Sequence, residues 1–182
     1  MQKHNLLVKA ETRIKADRRL VISKTQPDQP NQSWVIDMTE VIVYRFGGMY
    51  ITLVLDWYAK KIIGYYTGMQ CCGKHWLEAL KEVANLHFPN GIQEHGLCAI
   101  SDNGNQPASL GIVKACQEFG IQRVFTNYNN PKEKADTERV FRNMKEHLFW
   151  LRQWINVFLM IEALKTWISY RNSSYLHVTF RV

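Results

Sequence analysis

The sequence predicts an α/β fold, a five-stranded mixed sheet in which an antiparallel meander is followed by two parallel strands, with helices flanking it. Three observations predict it. Three β-like runs follow one another at short spacing, a strand–helix–strand unit comes next, and the last quarter of the chain is helical. The 182 residues suffice for one ordinary domain. Hydrophobic residues at 46% and charged residues at 21% exclude a disordered, collagen-like or coiled-coil chain. No apolar run approaches the roughly 20 residues of a membrane-spanning helix, and the polar, basic N-terminus lacks a secretory apolar centre. A cytoplasmic, nucleoid-associated protein with no membrane partner is the expectation.

Residues 1–25 hold seven basic side chains against Glu11 and Asp17, a surplus of +5 out of a net +7. With a pI near 9.3, that excess points to a polyanionic partner. From Lys24 to Ser33 the composition turns to Gln, Pro, Asp and Asn, and Pro27 and Pro30 disfavour helix. Residues 1–30 therefore read as a basic arm and linker, 31–172 as the core and 173–182 as a tail. The meander comprises Trp34–Val43, Met49–Trp57 and Lys60–Thr67, with Gly47-Gly48 as its first turn and Asp56–Lys60 as its second. In His75–His87, Leu77, Leu80, Val83, Ala84 and Leu86 recur at near-helical spacing, and Asn90-Gly91 closes the unit.

Leu97–Ser101 is a short apolar strand, Ser109–Phe119 a helix ended by Gly120, and Ile121–Phe125 a strand before the polar loop Thr126–Asn130. That order implies parallel pairing through a right-handed crossover. Pro131–Tyr170 is helical, with a break near Leu151–Gln153. Asn130 as N-cap, Pro131 at the first helical position and Glu133 after it signal its start.

Carboxylates are costly in a buried strand, yet Asp37 interrupts the run begun by Trp34-Val35-Ile36 and Asp102 terminates Leu97–Ser101. If the two strands are neighbours, these side chains meet at the sheet edge where ligands of α/β proteins gather. Glu138 adds a third carboxylate from the following helix. Hard oxygen donors of this kind suit Mg²⁺ or Mn²⁺. Glu138, Arg142 and Lys145 stand at i, i+4 and i+7 on one helix face, beside an apolar face of Phe141, Met144, Leu148 and Leu151. Carboxylates with cations beside them serve phosphoryl transfer; a solvated stripe with an ion pair is the other reading of that helix.

Trp34-Val35-Ile36-Asp37-Met38-Thr39, Leu53–Asp56 leading to Lys60–Gly64, Ser101-Asp102-Asn103-Gly104, and Asn130-Pro131 followed by Glu138-Arg139 and Lys145 together resemble the catalytic core of insertion-sequence transposases and retroviral-type integrases. That superfamily is named for its Asp, Asp, Glu triad. In the matching branch 35 residues separate the second Asp from the Glu, as positions 103–137 do here, and a basic residue follows seven after the Glu. The resemblance covers roughly residues 25–172. The family's C-terminal Tyr-Asn-x-x-Arg-Pro-His signature is present in part, as Tyr170–His177, and Pro107 stands where an aromatic is usual.

The resemblance implies a ribonuclease H-like fold, two divalent ions per active site, Mg²⁺ or Mn²⁺, and strand cleavage and transfer at mobile-element DNA ends. By it Asp37, Asp102 and Glu138 are the catalytic metal ligands, and Lys145, Arg142 and Arg139 contact DNA. It implies double-stranded DNA and further copies of the chain as partners, and an upstream helix-turn-helix region of which residues 1–30 resemble the tail. A decayed DNA-binding remnant and a ribonuclease H-like nuclease are the alternative functions.

Other residues have plainer readings. Asp56 caps its turn, and Glu133 and Asp136 favour the start of a helix. The six histidines lack mutual ligand spacing, and Cys71, Cys72, Cys98 and Cys116 form no C-x-x-C motif, so they read as reduced thiols. Trp150, Trp154, Phe158 and Trp167 read as core. The stretch Phe149–Ile168 nevertheless holds more large apolar groups than one narrow face can bury, and the excess marks a protein–protein interface.

Overall fold

The computed structural model describes residues 27–70, 72–93, 95–102, 109–125 and 131–175. Residues 1–26, the loop 126–130 with its Asn130 cap, and the tail beyond 175 lie outside the described residues. Five strands, β1 (Ser33–Val43), β2 (Gly47–Asp56), β3 (Ile62–Gly68), β4 (Cys98–Ser101) and β5 (Gln122–Phe125), form one sheet in the order β3-β2-β1-β4-β5. The first three pair antiparallel, whereas β1–β4 and β4–β5 pair in parallel. The meander and the parallel strands are thus as the sequence predicts.

Helices cover both faces. Along β1 the side chains alternate: Trp34 and Ile36 join one core cluster with helices α1 (Gly73–His87) and α2 (Leu110–Glu118), while Val35, Val41 and Val43 join the other. That second cluster is closed by α3 (Pro131–Met144) and α4 (Val157–Tyr175) through Val140, Phe141, Met144, Met160, Leu164 and Trp167. Among the described residues no helix is long and apolar enough to cross a membrane.

Three local expectations are corrected. The first hairpin turns at Tyr44–Phe46, not at Gly47-Gly48; Gly47 supplies a φ of +88° as β2 begins. Leu86 of α1 faces solvent, and the buried positions fall to Trp76, Ala79, Leu80, Val83 and Ala84. The helix breaks over residues 150–156, as expected near Leu151–Gln153, but what leads into the break and what it exposes differ. A π-helical turn spans Lys145–Phe149, closed by the Trp150 amide donating to the Lys145 carbonyl at 2.7 Å, and α4 starts only at Val157. The extra residue in that turn shifts the helical phase. Leu148 and Phe149 are buried, and Trp150 and Leu151, expected inside, are exposed.

Polar side chains fix the connections. Asp56, only 2% exposed, accepts the Asn31 amide at 2.6 Å on one oxygen and the Ala59 amide at 2.8 Å on the other. Its capping role is the one its sequence position suggests. Arg171 donates to the Lys60 carbonyl at 2.9 Å, which ties the end of α4 to the β2–β3 connection.

Candidate active site

The last rungs of the β1–β4 ladder are Ser33–Cys98, Trp34–Ala99 and Val35–Ile100. Asp37 lies two residues beyond Val35, and Asp102 two beyond Ile100. Side chains of a strand alternate faces, so within β1 an advance of two keeps Asp37 on the face of Val35, and adjacent strands run about 4.8 Å apart. Asp37 continues β1 past the last paired rung, and Asp102 stands one residue beyond the end of its parallel neighbour β4. Asp37 is half-buried and its Oδ1 accepts the Met38 amide at 2.8 Å; Asp102 is exposed at the mouth of β4, with the Ser101 hydroxyl donating to its backbone carbonyl at 3.1 Å.

Helix α3 packs against this same face. Val140 and Phe141 share the core cluster of Val35 and Ile100, and among the described side chains of α3 Thr137, Val140, Phe141 and Met144 are buried, with Leu148 following in the π-helical turn. At 3.6 residues per turn Glu138, Arg142 and Lys145 fall together on the flank beside that buried side, and Arg139 lies about a quarter turn further round. Glu138, Arg139 and Arg142 are exposed, and Lys145 is half-buried at the start of the π-helical turn. Asp37 and Asp102 thus follow neighbouring parallel strands past the same rung, and α3, which carries Glu138, packs on the core that holds Val35 and Ile100. Among the described residues no three His, Cys, Asp or Glu side chains stand close enough together to hold a metal ion.

Three carboxylates, without histidine or cysteine among them, are a donor set for a hard divalent cation. Sequence reasoning left two polar residues of α4, Arg171 and Asn172, without a role. The Asn172 amide accepts from the Ile62 N–H at 3.0 Å and donates to the Ile62 carbonyl at 2.8 Å, occupying the free side of the edge strand β3. The Arg171-Asn172 pair at the end of α4 is the signal for such a clamp.

A family model described as the integrase core domain matches residues 27–131. The chain is similar to the transposase for insertion sequence element IS629 of Shigella sonnei, 25% identical over 146 residues that cover 80% of this chain and 47% of that protein. It spans about half the length of the curated relatives it matches. Among solved structures, the catalytic domain of Mos1 mariner transposase is similar with a TM-score of 0.62 at 12% identity, covering 76% of this chain and 70% of that one. The HTLV-2 integrase catalytic core domain in complex with magnesium is similar with a TM-score of 0.50 at 16% identity, covering 65% of this chain and 70% of that one. At such identities the likeness shows the fold alone, and that fold is ribonuclease H-like.

Proposed function

We propose, from the premise that this chain belongs to the integrase core domain family, that residues 31–172 are the catalytic core of a DNA transposase. Its reaction is metal-dependent phosphoryl transfer, strand cleavage followed by strand transfer, at the ends of a mobile element. What supports this reading is that Asp37 and Asp102 each follow the last rung between two neighbouring parallel strands by two residues, while the helix that bears Glu138 packs on the core of Val35 and Ile100.

Asp37, Asp102 and Glu138 would hold the metal, as the magnesium-bound HTLV-2 core encourages. Two bound Mg²⁺ or Mn²⁺ ions supply Lewis acidity at the scissile phosphate and make a hydroxyl nucleophilic near neutral pH. Asp37, rooted in the central strand, and Asp102, at a strand end, provide rigid anchoring for two of the ligands. Lys145 and Arg142, on the flank of Glu138, grip the phosphates beside the scissile one, and Arg139 meets the backbone further along. Water, and then a 3′-hydroxyl, attacks the phosphorus in line, with no covalent enzyme intermediate. Double-stranded DNA, as element ends and target, and further copies of the chain are the partners of this reading.

The test offers the purified chain a labelled end duplex, a target duplex and Mg²⁺ or Mn²⁺. Asp102→Asn is expected to fold as the parent and to lose at least ~10²-fold in nicking and joining, the scale of electrostatic terms in catalysis. Undiminished activity in that variant overturns the assignment. Cutting without joining identifies a nuclease, and metal-independent binding without turnover identifies a DNA-binding remnant.

A further inference from the structure

We infer that the cleft between the α1–β4 loop and the end of α2 is a docking site for the chain's own basic arm, with the Lys24 ammonium seated against the Glu118 carboxylate. The cleft has a volume of about 480 Å³ and is lined by residues 90–93, His95, Glu118 and Phe119. Ligand pockets run from roughly 300 to 1,000 Å³. Local sequence holds its walls together. Gly120 takes a φ of +68°, and a Cβ there would stand 3.1 Å from the Gln93 Cα, so only glycine lets the two loops approach so closely. The Gln93 side-chain amide then donates to the Glu118 carbonyl at 3.3 Å, and buried Ile92 forms the floor.

Its charge suits a cation. Helix α2 ends at Glu118 in the cleft and α1 ends at His87, just before the lining begins, so the negative ends of two helix dipoles converge there. Glu118 adds a full negative charge at the helix position where the dipole disfavours one. No basic residue stands in the last turn of α2, and among the described residues the carboxylate makes no ion pair. An anion would meet that carboxylate and no lysine or arginine in the lining. The occupant follows from where the arm joins the core. β1, β4 and β5 are parallel and begin at one end of the sheet, the end that carries the α1–β4 loop and the turn after α2. There the Cys98 amide donates to the Gln32 carbonyl at 2.9 Å, and ring contacts lead from Trp34 to Phe88, 5.7 Å between centres, and from Phe88 to His95 at 4.7 Å. The described chain starts at Pro27, and Lys24 stands three residues earlier, about 10 Å of extended chain. It is the basic residue nearest the core in an arm that carries +5 of the net +7. So short a tether gives its ammonium an effective concentration on the order of millimolar at the cleft.

The contact fixes the direction in which the arm leaves the core. It does not rest on the chemistry proposed for Asp37 and Asp102, since Asp102 follows the opposite end of β4, and its test uses neither DNA nor metal. Zero-length carbodiimide coupling of the full chain, read by mass spectrometry, is expected to join Lys24 to Glu118. The pairs Glu162–Lys165, at 2.7 Å, and Glu78–Lys81, at 4.0 Å, calibrate the reaction. Trypsin is expected to cut after Lys24 at least ~2-fold faster in Glu118→Gln than in the parent, the scale of one charge at a helix end. Glu118 is exposed, so that variant is expected to keep the parent's circular dichroism spectrum. Absence of the Lys24–Glu118 product while the calibrating pairs react overturns the inference, as does coupling of Glu118 to another lysine of the arm in its place. A product that joins only different copies, in a mixture of isotope-labelled and unlabelled chains, overturns it too. So does equal cutting of parent and variant.

Discussion

The Asn172 side chain closes two hydrogen bonds on the Ile62 backbone, accepting from its N–H at 3.0 Å and donating to its carbonyl at 2.8 Å. A primary amide thereby acts as one rung of a missing sixth strand. β3 is an edge strand, and unpaired peptide groups on an edge invite pairing with other chains. With Arg171 held on the Lys60 carbonyl, the clamp also fixes α4, whose Met160, Leu164 and Trp167 help bury α3.

Asn172→Ala removes both bonds and leaves a part-buried donor and acceptor unpaired. The expected cost is about 1–3 kcal/mol, which at this chain length lowers Tm by roughly 2–12 °C. Asn172→Asp keeps the acceptor but not the donor and is expected to fall between parent and alanine variant. A thermal melt of Asn172→Ala indistinguishable from the parent's would show that the clamp holds nothing.

How much of this was legible in the sequence depends on the range of the signal. Period-two alternation and one intervening helix sufficed for the meander and the parallel pair, because Trp34 and Val35 must face opposite layers whatever covers them, but which strands are neighbours across the two was left open. Asp37 and Asp102 stood out for a similar reason, as charges at positions where apolar residues are the rule. The hairpin turn was misplaced because Gly47-Gly48 is the obvious turn dipeptide; yet Arg45 itself takes a positive φ of 68°, and Gly48 makes room for the Glu40 side chain across the pair. The π-helical turn escaped notice because one added residue changes phase without changing composition. Leu148 and Leu151 look equivalent on a 3.6-residue wheel and end on opposite sides of the surface.

Asp56 tests whether carboxylates in this fold can be sorted by environment. It is more buried than Asp37 or Asp102, and both of its oxygens accept backbone amides. Asp56→Ala is expected to cost about 2–4 kcal/mol in urea unfolding, since bonds to a charged acceptor exceed neutral ones. It is expected to leave Mn²⁺ affinity unchanged, whereas Asp37→Asn should do the reverse. Equal loss of Mn²⁺ binding in the two variants would contradict the separation.

The ring of His75 lies against Gly68, where a Cβ would overlap it, and against Tyr66, with ring centres 4.9 Å apart. Burial, and after it the Lys74 charge, hold its pKa below the usual 6.5. A depressed folded-state value means that the unfolded chain takes up the proton first as pH falls. Its contribution to stability is then complete above about pH 6.5 and is lost as pH falls from there toward the folded value. His75→Phe keeps the stack and removes the titration, so Tm should fall less between pH 7.5 and 5 than in the parent. An equally steep fall would mean that other groups govern acid sensitivity.

The flank of α3 gives the last prediction. If Lys145 meets a DNA phosphate, as the proposed function requires, its removal costs affinity for every sequence alike, because a phosphate carries no base identity. Releasing one fewer counterion lowers the slope of log affinity against log salt by about 0.9. Arg139 has the same charge, but it projects about a quarter turn away from the flank of Glu138, Arg142 and Lys145. Lys145→Ala should therefore reduce both affinity and slope on a short end duplex more than Arg139→Ala does. Fluorescence anisotropy between 50 and 300 mM KCl, a range of about sixfold in salt over which the slope is resolved, measures both. Equal effects of the two variants would show that binding responds to net charge rather than to a site on this face.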